Sequence, residues 1–414
     1  MKHIFSILLF SLLSFSGSTA HADDSIPSGF SRPLTWRVGA DITPAYVLGT
    51  DNWLKGDNSD NQPVRSSLSI NFRTDFSFSP DSREGILYPG LYQGIGIGPN
   101  FFFKAYNLLG TPASIFAYQG FPFKHFSPRL SLGYEWQFGI GAGWNDGGGD
   151  SPFSQSVIST VVTAHMGVRL KLKYELTKNF NLTLALAGTH FSNGNTSWRN
   201  SGLNSAGISI GAEYCFEPDI SKESEISAAE KSRLKEEADR KKWVYDIMAF
   251  GAWRKRTLLT PYSEPTEDGG YIDTELDNLL PGKYAVAGLQ FAPMLKLNRW
   301  VAVGPALDLK WDKSAGKRPY WIEDTYEQDI KFRHVPFGKQ VSAGISAHAE
   351  LTMPIFSING GVGFNIINPN GDKRFYQQLA IKVFLTKKLF LNFGYGLGNF
   401  KNPNNLMLGA GVRL

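Results

Sequence analysis

One short segment of the chain contains the residue types that an acyl-transfer enzyme needs. It reads Thr189-His190-Phe191-Ser192-Asn193-Gly194-Asn195, and Asn200-Ser201-Gly202-Leu203-Asn204 follows shortly afterwards. A serine hydroxyl is a weak nucleophile until an imidazole removes its proton, and a third group must fix the imidazole tautomer. Ser192 and His190 are the candidates for the first two roles, and Asn204 is the candidate for the third.

The same segment offers donors for the negative charge that develops on the carbonyl oxygen during ester cleavage. The amide of Asn200 and the backbone at Asn193 and Gly194 are the candidate oxyanion donors. A His-x-Ser pair alone is a weak signal, because a polar strand end that leads into an Asn/Gly-rich loop has the same composition. Both interpretations stay open on the motif alone.

The strand that contains the pair predicts which way the two side chains point. In the segment 180–192, leucines at every second position form one face, and small or polar residues form the other. His190 and Ser192 have the parity of the leucines, and Asn204 has the parity of Ile208 and Ile210 on the next strand. On a barrel wall that face meets lipid. Polar groups there are costly as mere structure but suit a substrate that arrives from the bilayer.

The composition of the 414-residue chain narrows the fold class. Hydrophobic residues make up 42%, aromatic residues 14%, and there are 43 glycines. The lone Cys215 excludes a disulfide scaffold and a CxxC metal site, and a net charge of +5 without a basic block makes nucleic acid a poor partner. Weak hydropathy with many aromatic residues and glycines favours a transmembrane β-barrel over a secreted β-sandwich or propeller.

The N-terminus predicts export. Lys2 and His3 precede an apolar run at 4–15, and Ala20-His21-Ala22 has the A-x-A form of a cleavage site. We therefore expect residues 1–22 to be a signal peptide. No cysteine lies at the junction, so a lipid anchor is not expected, and the predicted destination is the outer membrane.

The remaining chain repeats one plan. Segments of roughly ten residues separated by turn residues predict about 16 antiparallel strands. The stretch that starts at Thr386-Lys387-Lys388 matches the one that starts at Thr177-Lys178-Asn179, which indicates two eight-strand halves, 23–216 and 244–414. The positions of His190 and Ser192 become Asn399 and Lys401 in the second half. Only the first half is therefore expected to be catalytic.

Between the halves, residues 217–243 are dense in both charge signs and predict a periplasmic helical linker. The sixteen strands allow either one wide barrel or two tandem barrels. Small inward residues favour narrow barrels, whose interiors side chains must fill. These residues are Gly207, Gly211, Gly394, Gly396, Gly409 and Gly411. A single sheet needs no second closure, however, and on that ground we favour one barrel.

The segment His190-Phe191-Ser192-Asn193-Gly194, with Asn200-Ser201-Gly202, resembles the signature of the PagL-type lipid A 3-O-deacylases. These acyloxyacyl-hydrolase-like proteins are eight-stranded outer-membrane barrels. The resemblance implies that Ser192 is the nucleophile, His190 the base and Asn200 an oxyanion donor. The acidic member of the family triad falls on Asn204, and Ser201 replaces a proline. An amide still orients a neutral imidazole, as in Cys-His-Asn enzymes.

The resulting hypothesis is an outer-membrane serine esterase that removes an ester-linked 3-hydroxyacyl chain from lipid A or lipopolysaccharide. It needs no cofactor or metal. The expected partners are the lipid substrate, outer-membrane lipid and a possible second copy of the chain in a homodimer. Two alternatives stay open: a non-catalytic porin or structural barrel with a decayed esterase motif, and an outer-membrane phospholipase.

Overall fold

The computed structural model describes residues 34–147, 156–197, 201–216, 226–265, 271–279, 282–317, 319–321, 330–369, 373–400 and 402–414. The predicted signal peptide, residues 1–22, and the candidate oxyanion donor Asn200 lie outside these ranges. Within them, no helix is long and apolar enough to cross a bilayer.

The first half of the chain forms a closed antiparallel barrel of eight strands in sequence order. The strands are β1 (Thr35–Val47), β2 (Ser66–Ser77), β3 (Tyr92–Phe102), β4 (Gly110–Ser127), β5 (Leu130–Trp144), β6 (Val162–Glu175), β7 (Phe180–Ser192) and β8 (Leu203–Cys215). Strand β1 pairs with β8, with Val38 opposite Tyr214, so the sheet closes on itself.

The second half forms another closed barrel of eight strands. The strands of this half are β9 (Lys242–Arg254), β10 (Thr257–Pro265), β11 (Tyr271–Leu279), β12 (Tyr284–Lys296), β13 (Val301–Asp312), β14 (Pro319–Trp321), β15 (Ile330–Phe332), β16 (Val341–Thr352), β17 (Phe356–Ile367), β18 (Phe375–Phe384), β19 (Leu389–Gly398) and β20 (Asn402–Arg413). The barrel order is β12-β13-β16-β17-β18-β19-β20-β9, and the closing pair joins β20 to β9, with Leu408 opposite Gly251. The pairs β10-β11 and β14-β15 form separate two-stranded sheets.

The prediction of an all-β antiparallel barrel protein with two eight-strand halves is confirmed, but the preference for one sixteen-strand barrel is wrong. Each half closes its own sheet. The close approach of neighbouring strands explains two of the small residues: a Cβ on Gly409 would lie 2.1 Å from the Ala249 carbonyl oxygen, and one on Gly207 would lie 2.2 Å from that of Pro44. Such crowding belongs to narrow barrels with filled interiors.

Buried ion pairs fill the interior of the first barrel. Arg73 contacts Asp41 at 3.2 Å and Glu135 at 2.6 Å, and Arg169 contacts Asp41 at 2.9 Å. Lys171 contacts Glu213 at 2.5 Å. Charges that are paired and hydrogen-bonded in this way tolerate removal from water. The lumen is therefore a polar core made of side chains.

The second barrel has its own network of the same kind. The ammonium group of Lys382 binds Asp246 at 2.6 Å and Glu350 at 2.7 Å, and the Arg413 guanidinium binds the same two carboxylates, each at 2.7 Å. Both lumens thus carry charges of both signs in mutual contact. A porin needs an open channel through the barrel. In both barrels, the side chains of these ion-pair networks fill the lumen where such a channel would run.

Two histidines belong to the lumens. His165 Nδ1 lies 3.1 Å from Ser114 Oγ in the first barrel, in agreement with its inward parity. In the second barrel, His348 lies 2.9 Å from Ser346 Oγ and 2.7 Å from Asn359 Oδ1. Cys215 is buried at the end of β8.

Short helices decorate both ends of the first barrel: α1 (Asn52–Lys55), α2 (Arg83–Leu87) and α3 (Tyr106–Leu109). The predicted charged linker contains α4 (Ala228–Ala238). Lys231 of α4 lies 3.8 Å from Asp81 beside α2, and Asp239 accepts a 2.9 Å hydrogen bond from the Arg299 backbone. The linker therefore contacts both barrels at one end of the molecule, the first through α4 and the second through Asp239, directly after α4.

The two barrels pack side by side through their outer walls. Trp136 of the first barrel meets Phe356 of the second with ring centroids 5.3 Å apart, and Phe138 meets Phe393 at 6.1 Å. Gln119 has outward parity yet is fully buried, and its amide donates to Gln93 Oε1 at 2.9 Å and to the Pro354 carbonyl, between β16 and β17, at 3.2 Å. A lipid-facing amide would lack such partners.

At the linker end the same interface continues outside the strands of the first barrel. The Tyr88 hydroxyl donates to the Arg299 carbonyl at 3.1 Å, and its ring meets Trp300 at 4.7 Å. Burial raises the pKa of Tyr88 to about 12. The hydroxyl therefore stays protonated, and remains a donor across the interface, at any physiological pH.

Candidate active site

His190 and Asn204 face each other across two neighbouring strands. They are directly opposite in the pairing of β7 with β8, and both point to the outer wall. The outward leucines that precede them on β7 are exposed, at 43% for Leu182, 46% for Leu184 and 62% for Leu186. The parity argument from the sequence thus places the imidazole on the wall that lipid contacts.

The imidazole of His190 has a fixed partner. Its Nδ1 atom lies 2.7 Å from Asn204 Oδ1. Because an amide oxygen only accepts, the proton belongs on Nδ1, and Nε2 keeps its lone pair. This is the tautomer that a general base needs. Asn204 therefore has the geometry of the orienting third group, although it is not an acid.

Ser192 occupies the outward position at the end of β7, opposite Ala164 on β6. It is only 5% exposed. Outward parity alone predicts a serine open to lipid, but the loop that follows folds back over it. The backbone N–H of Gly194 donates to Ser192 Oγ at 3.1 Å. One predicted oxyanion donor therefore already lies next to the predicted nucleophile.

The inward neighbours of the candidate triad anchor it from inside the barrel. Phe191, which separates His190 from Ser192, is 2% exposed and packs edge-to-face on Trp144 at 5.0 Å. Leu203, which precedes Asn204, is fully buried. Both belong to an apolar cap over this end of the lumen. The other members are Val47, Trp53, Leu54, Val64, Phe102, Ala105, Leu109, Val157 and Ile158.

Gly202 is a close neighbour of the imidazole. Its φ of +67° is a left-handed conformation that glycine adopts without steric cost. A Cβ at this position would lie 2.9 Å from His190 Cε1. Any other residue would therefore push the ring away from its place beside Asn204.

The side chain of Asn193 makes hydrogen bonds that shape the loop after β7. Its amide donates to Ser159 Oγ and to the Ser197 carbonyl, each at 3.2 Å, and its Oδ1 accepts from the Asn195 backbone at 3.0 Å. This asparagine shapes the loop. Within it, the Gly194 N–H is the predicted donor that meets Ser192.

Sequence reasoning missed Asp51 at the N-terminus of α1. Ser201 Oγ donates to Asp51 Oδ2 at 2.7 Å, while the other carboxylate oxygen caps α1 through the Trp53 N–H at 2.8 Å. Ser201 stands where the resembling family has proline. A serine in place of the family's proline indicated a hydrogen bond at this position. The sequence could not identify Asp51 as the acceptor, because it lies 150 residues away.

Two family models match the chain. The model described as lipid A 3-O-deacylase (PagL) matches residues 115–213, a stretch that contains His190, Ser192 and Asn204. The model described as acyloxyacyl hydrolase, C-terminal domain, matches residues 243–414. The chain has no significant match among the curated proteins.

Solved structures with a similar shape are distant. The crystal structure of Neisserial surface protein A is 16% identical, with a TM-score of 0.30, and matches 45% of this chain and 100% of that one. A de novo designed transmembrane β-barrel is 15% identical, with a TM-score of 0.23, over 45% of this chain and 98% of that one. The siderophore receptor PirA from Acinetobacter baumannii is 8% identical, with a TM-score of 0.23, over 88% and 68%.

The assignment of this chain to a family therefore depends on the two family models. One covers the strands around the candidate site, and the other covers the whole second barrel. Together they span most of the chain, and the protein belongs to the PagL family of lipid A 3-O-deacylases.

Proposed function

We propose that Ser192 is the nucleophile of an outer-membrane esterase that removes the ester-linked 3-hydroxyacyl chain from the 3-position of lipid A. Family membership makes the protein a hydrolase of lipid A esters. The observation that most strongly supports this site is the 2.7 Å contact between His190 Nδ1 and Asn204 Oδ1 on the outer wall. His190 lies two residues before Ser192 on the same strand face.

The first half-reaction forms an acyl-enzyme. Ser192 Oγ attacks the ester carbonyl carbon while His190 Nε2 accepts the hydroxyl proton. The carbonyl oxygen becomes an oxyanion. The Gly194 N–H, which donates to Ser192 Oγ at 3.1 Å in the structure, would donate to this oxyanion. The sugar oxygen then leaves and takes the proton from His190.

The second half-reaction restores the enzyme. His190 removes a proton from water, the resulting hydroxide attacks the acyl carbonyl, and Ser192 leaves with the proton from His190. The products are the free 3-hydroxy fatty acid and lipid A with one hydroxyl in place of the ester. Throughout, Asn204 Oδ1 keeps the ring proton on Nδ1.

The outer-wall position suits a substrate held in the membrane. Exposed leucines lie below His190 on β7, and exposed Ile208 and Ile210 lie below Asn204 on β8. Acyl chains of the same leaflet contact these residues. An ester near the rim therefore reaches the site without leaving the bilayer.

Lipid A mass spectrometry tests the proposal with three variants. Ser192→Ala and His190→Ala are expected to abolish the loss of one 3-hydroxyacyl chain. Ser205→Ala, which changes a serine of inward parity nearby, should deacylate like wild type. Undiminished release by Ser192→Ala would refute the proposal. Release of a fatty acid without a 3-hydroxyl group, from phospholipid alone, would instead assign a phospholipase.

A further inference from the structure

The loop after Ser192 is hydrogen-bonded to the second barrel. The backbone N–H of Lys255 donates to the Asn195 carbonyl at 2.9 Å. The Asn195 amide in turn donates to the Lys255 carbonyl at 3.3 Å and to the Asn404 carbonyl at 3.1 Å. Three hydrogen bonds thus tie one residue of the loop to segments that follow β9 and belong to β20.

A side chain of the second barrel also packs on this loop. A Cβ at Gly194 would lie 2.5 Å from Leu406 Cδ2, so the leucine rests directly on the glycine. Leu406 is half-buried on the outward face of β20. The peptide under this leucine is the one whose N–H meets Ser192 Oγ.

The carbonyl of Asn404 is free to reach the loop because β20 is irregular there. Asn405 pairs with Gly396 and Pro403 pairs with Leu397, so Asn404 is an extra residue in the strand. Such bulges redirect backbone and side chains locally. The Asn404 side chain binds the Arg254 guanidinium, which also contacts Asp312 at 3.0 Å. The bulge is therefore held from within the second barrel.

We propose that the second barrel is the positioning element of the active site. Leu406 and the Lys255 and Asn404 carbonyls hold the loop 193–195 so that the Gly194 N–H points at the reacting centre. This inference rests on the proposed function of Ser192. It gives the second repeat, which has Asn399 and Lys401 at the catalytic positions, a role in catalysis without chemistry of its own.

Two variants of the full chain remove these contacts separately. Leu406→Ala takes away the side chain over Gly194. Asn195→Asp replaces the donor with a carboxylate that two carbonyls repel, while keeping a residue that tolerates the observed φ of +63°. Leu408→Ala is the matched control, because Leu408 is an outward leucine of the same strand that is 38% exposed.

We expect kcat for lipid A deacylation to fall about ten- to a hundred-fold in Leu406→Ala and Asn195→Asp. KM should change little, because the lipid-facing wall is intact. Leu406→Met should recover most of the rate, and Leu408→Ala should match wild type. All variants must retain the heat-modifiable electrophoretic mobility of a folded barrel. Wild-type kcat in both folded variants would overturn the proposal.

Amide hydrogen exchange separates this proposal from the assignment of Ser192. The backbone amides of 193–195 should exchange faster in Leu406→Ala than in wild type or Leu408→Ala. If wild type fails to deacylate lipid A, the proposed function of Ser192 is refuted, but faster exchange still supports the positioning of the loop 193–195 by the second barrel. Unchanged exchange in Leu406→Ala would reject that positioning role even in an active enzyme.

Discussion

The side-chain amide of Asn195 donates a hydrogen bond to the backbone carbonyl of Asn404, 209 residues further along the chain. This separation equals the offset of the internal repeat, which aligns Thr177 with Thr386. Equivalent positions of the two halves therefore meet beside the candidate active site. The contact explains why a half without the His-x-Ser pair matters to the half that has it.

Asn204 offers a direct test of the orienting group. Asn204→Ala should lower kcat by about ten- to a hundred-fold, because the imidazole loses the acceptor that fixes its tautomer. Asn204→Asp should raise kcat about tenfold, because a carboxylate also stabilises the imidazolium that forms. Steady-state kinetics on purified lipid A would measure both. Equal rates in wild type and Asn204→Ala would remove Asn204 from the mechanism.

Gly202 should be intolerant of a side chain. In Gly202→Ala the new Cβ would lie 2.9 Å from His190 Cε1 at a φ of +67°, so we expect kcat to fall at least about tenfold. Gly188→Ala is the control on the same outer wall, because its Cβ would meet only Val168 at 3.5 Å. The deacylation rates of the two folded proteins decide the matter. A fully active Gly202→Ala protein would show that the ring position is not critical.

Phe191 should couple stability to activity. Phe191→Ala leaves a cavity in the apolar cap and is expected to cost about 3 to 5 kcal/mol of unfolding free energy. The strand end that carries His190 and Ser192 should loosen, and kcat should fall as well. Phe180→Ala, at a 36% exposed position of the same strand, should cost much less. Denaturant titration in detergent gives the stability, and an unchanged midpoint for Phe191→Ala would contradict the packing.

The lumen of the second barrel should depend on Glu350. This carboxylate is 1% exposed and binds Lys382 and Arg413, so Glu350→Ala leaves two buried cations poorly compensated. We expect a loss of about 3 to 5 kcal/mol in unfolding free energy. Glu175→Ala, which breaks a 2.9 Å pair of partly exposed side chains with Lys173, should cost no more than about 1 kcal/mol. Similar losses in both variants would argue against a buried network.

Sequence alone predicted the outward direction of the candidate site, because side-chain direction on a strand follows from parity. The leucines of β7 and the isoleucines of β8 mark the outer wall, and His190, Ser192 and Asn204 have the same parity. Parity says nothing about what covers a wall. Ser192 is 5% exposed, and the loop that follows it meets its hydroxyl through Gly194, on which Leu406 of the second barrel packs.

Local sequence patterns also could not predict whether the strands close into one barrel or two. Strand β8 pairs with β1, and β20 pairs with β9, so each barrel is decided by contacts between its first and last strands. The small residues Gly207 and Gly409 pointed to narrow barrels. The preference for one wide barrel was wrong because it gave more weight to avoiding a second closure than to these residues.

The sequence by itself determined the strand plan, the internal repeat, the family resemblance and the chemistry that a His-x-Ser segment offers. These features are local, since they depend on residue type and on spacings of two or about ten residues. Only the tertiary structure decided that two barrels form and that Asn195, Gly194 and Leu406 meet. Contacts across more than 200 residues arise from packing of outer walls, which spacings of two or about ten residues do not encode.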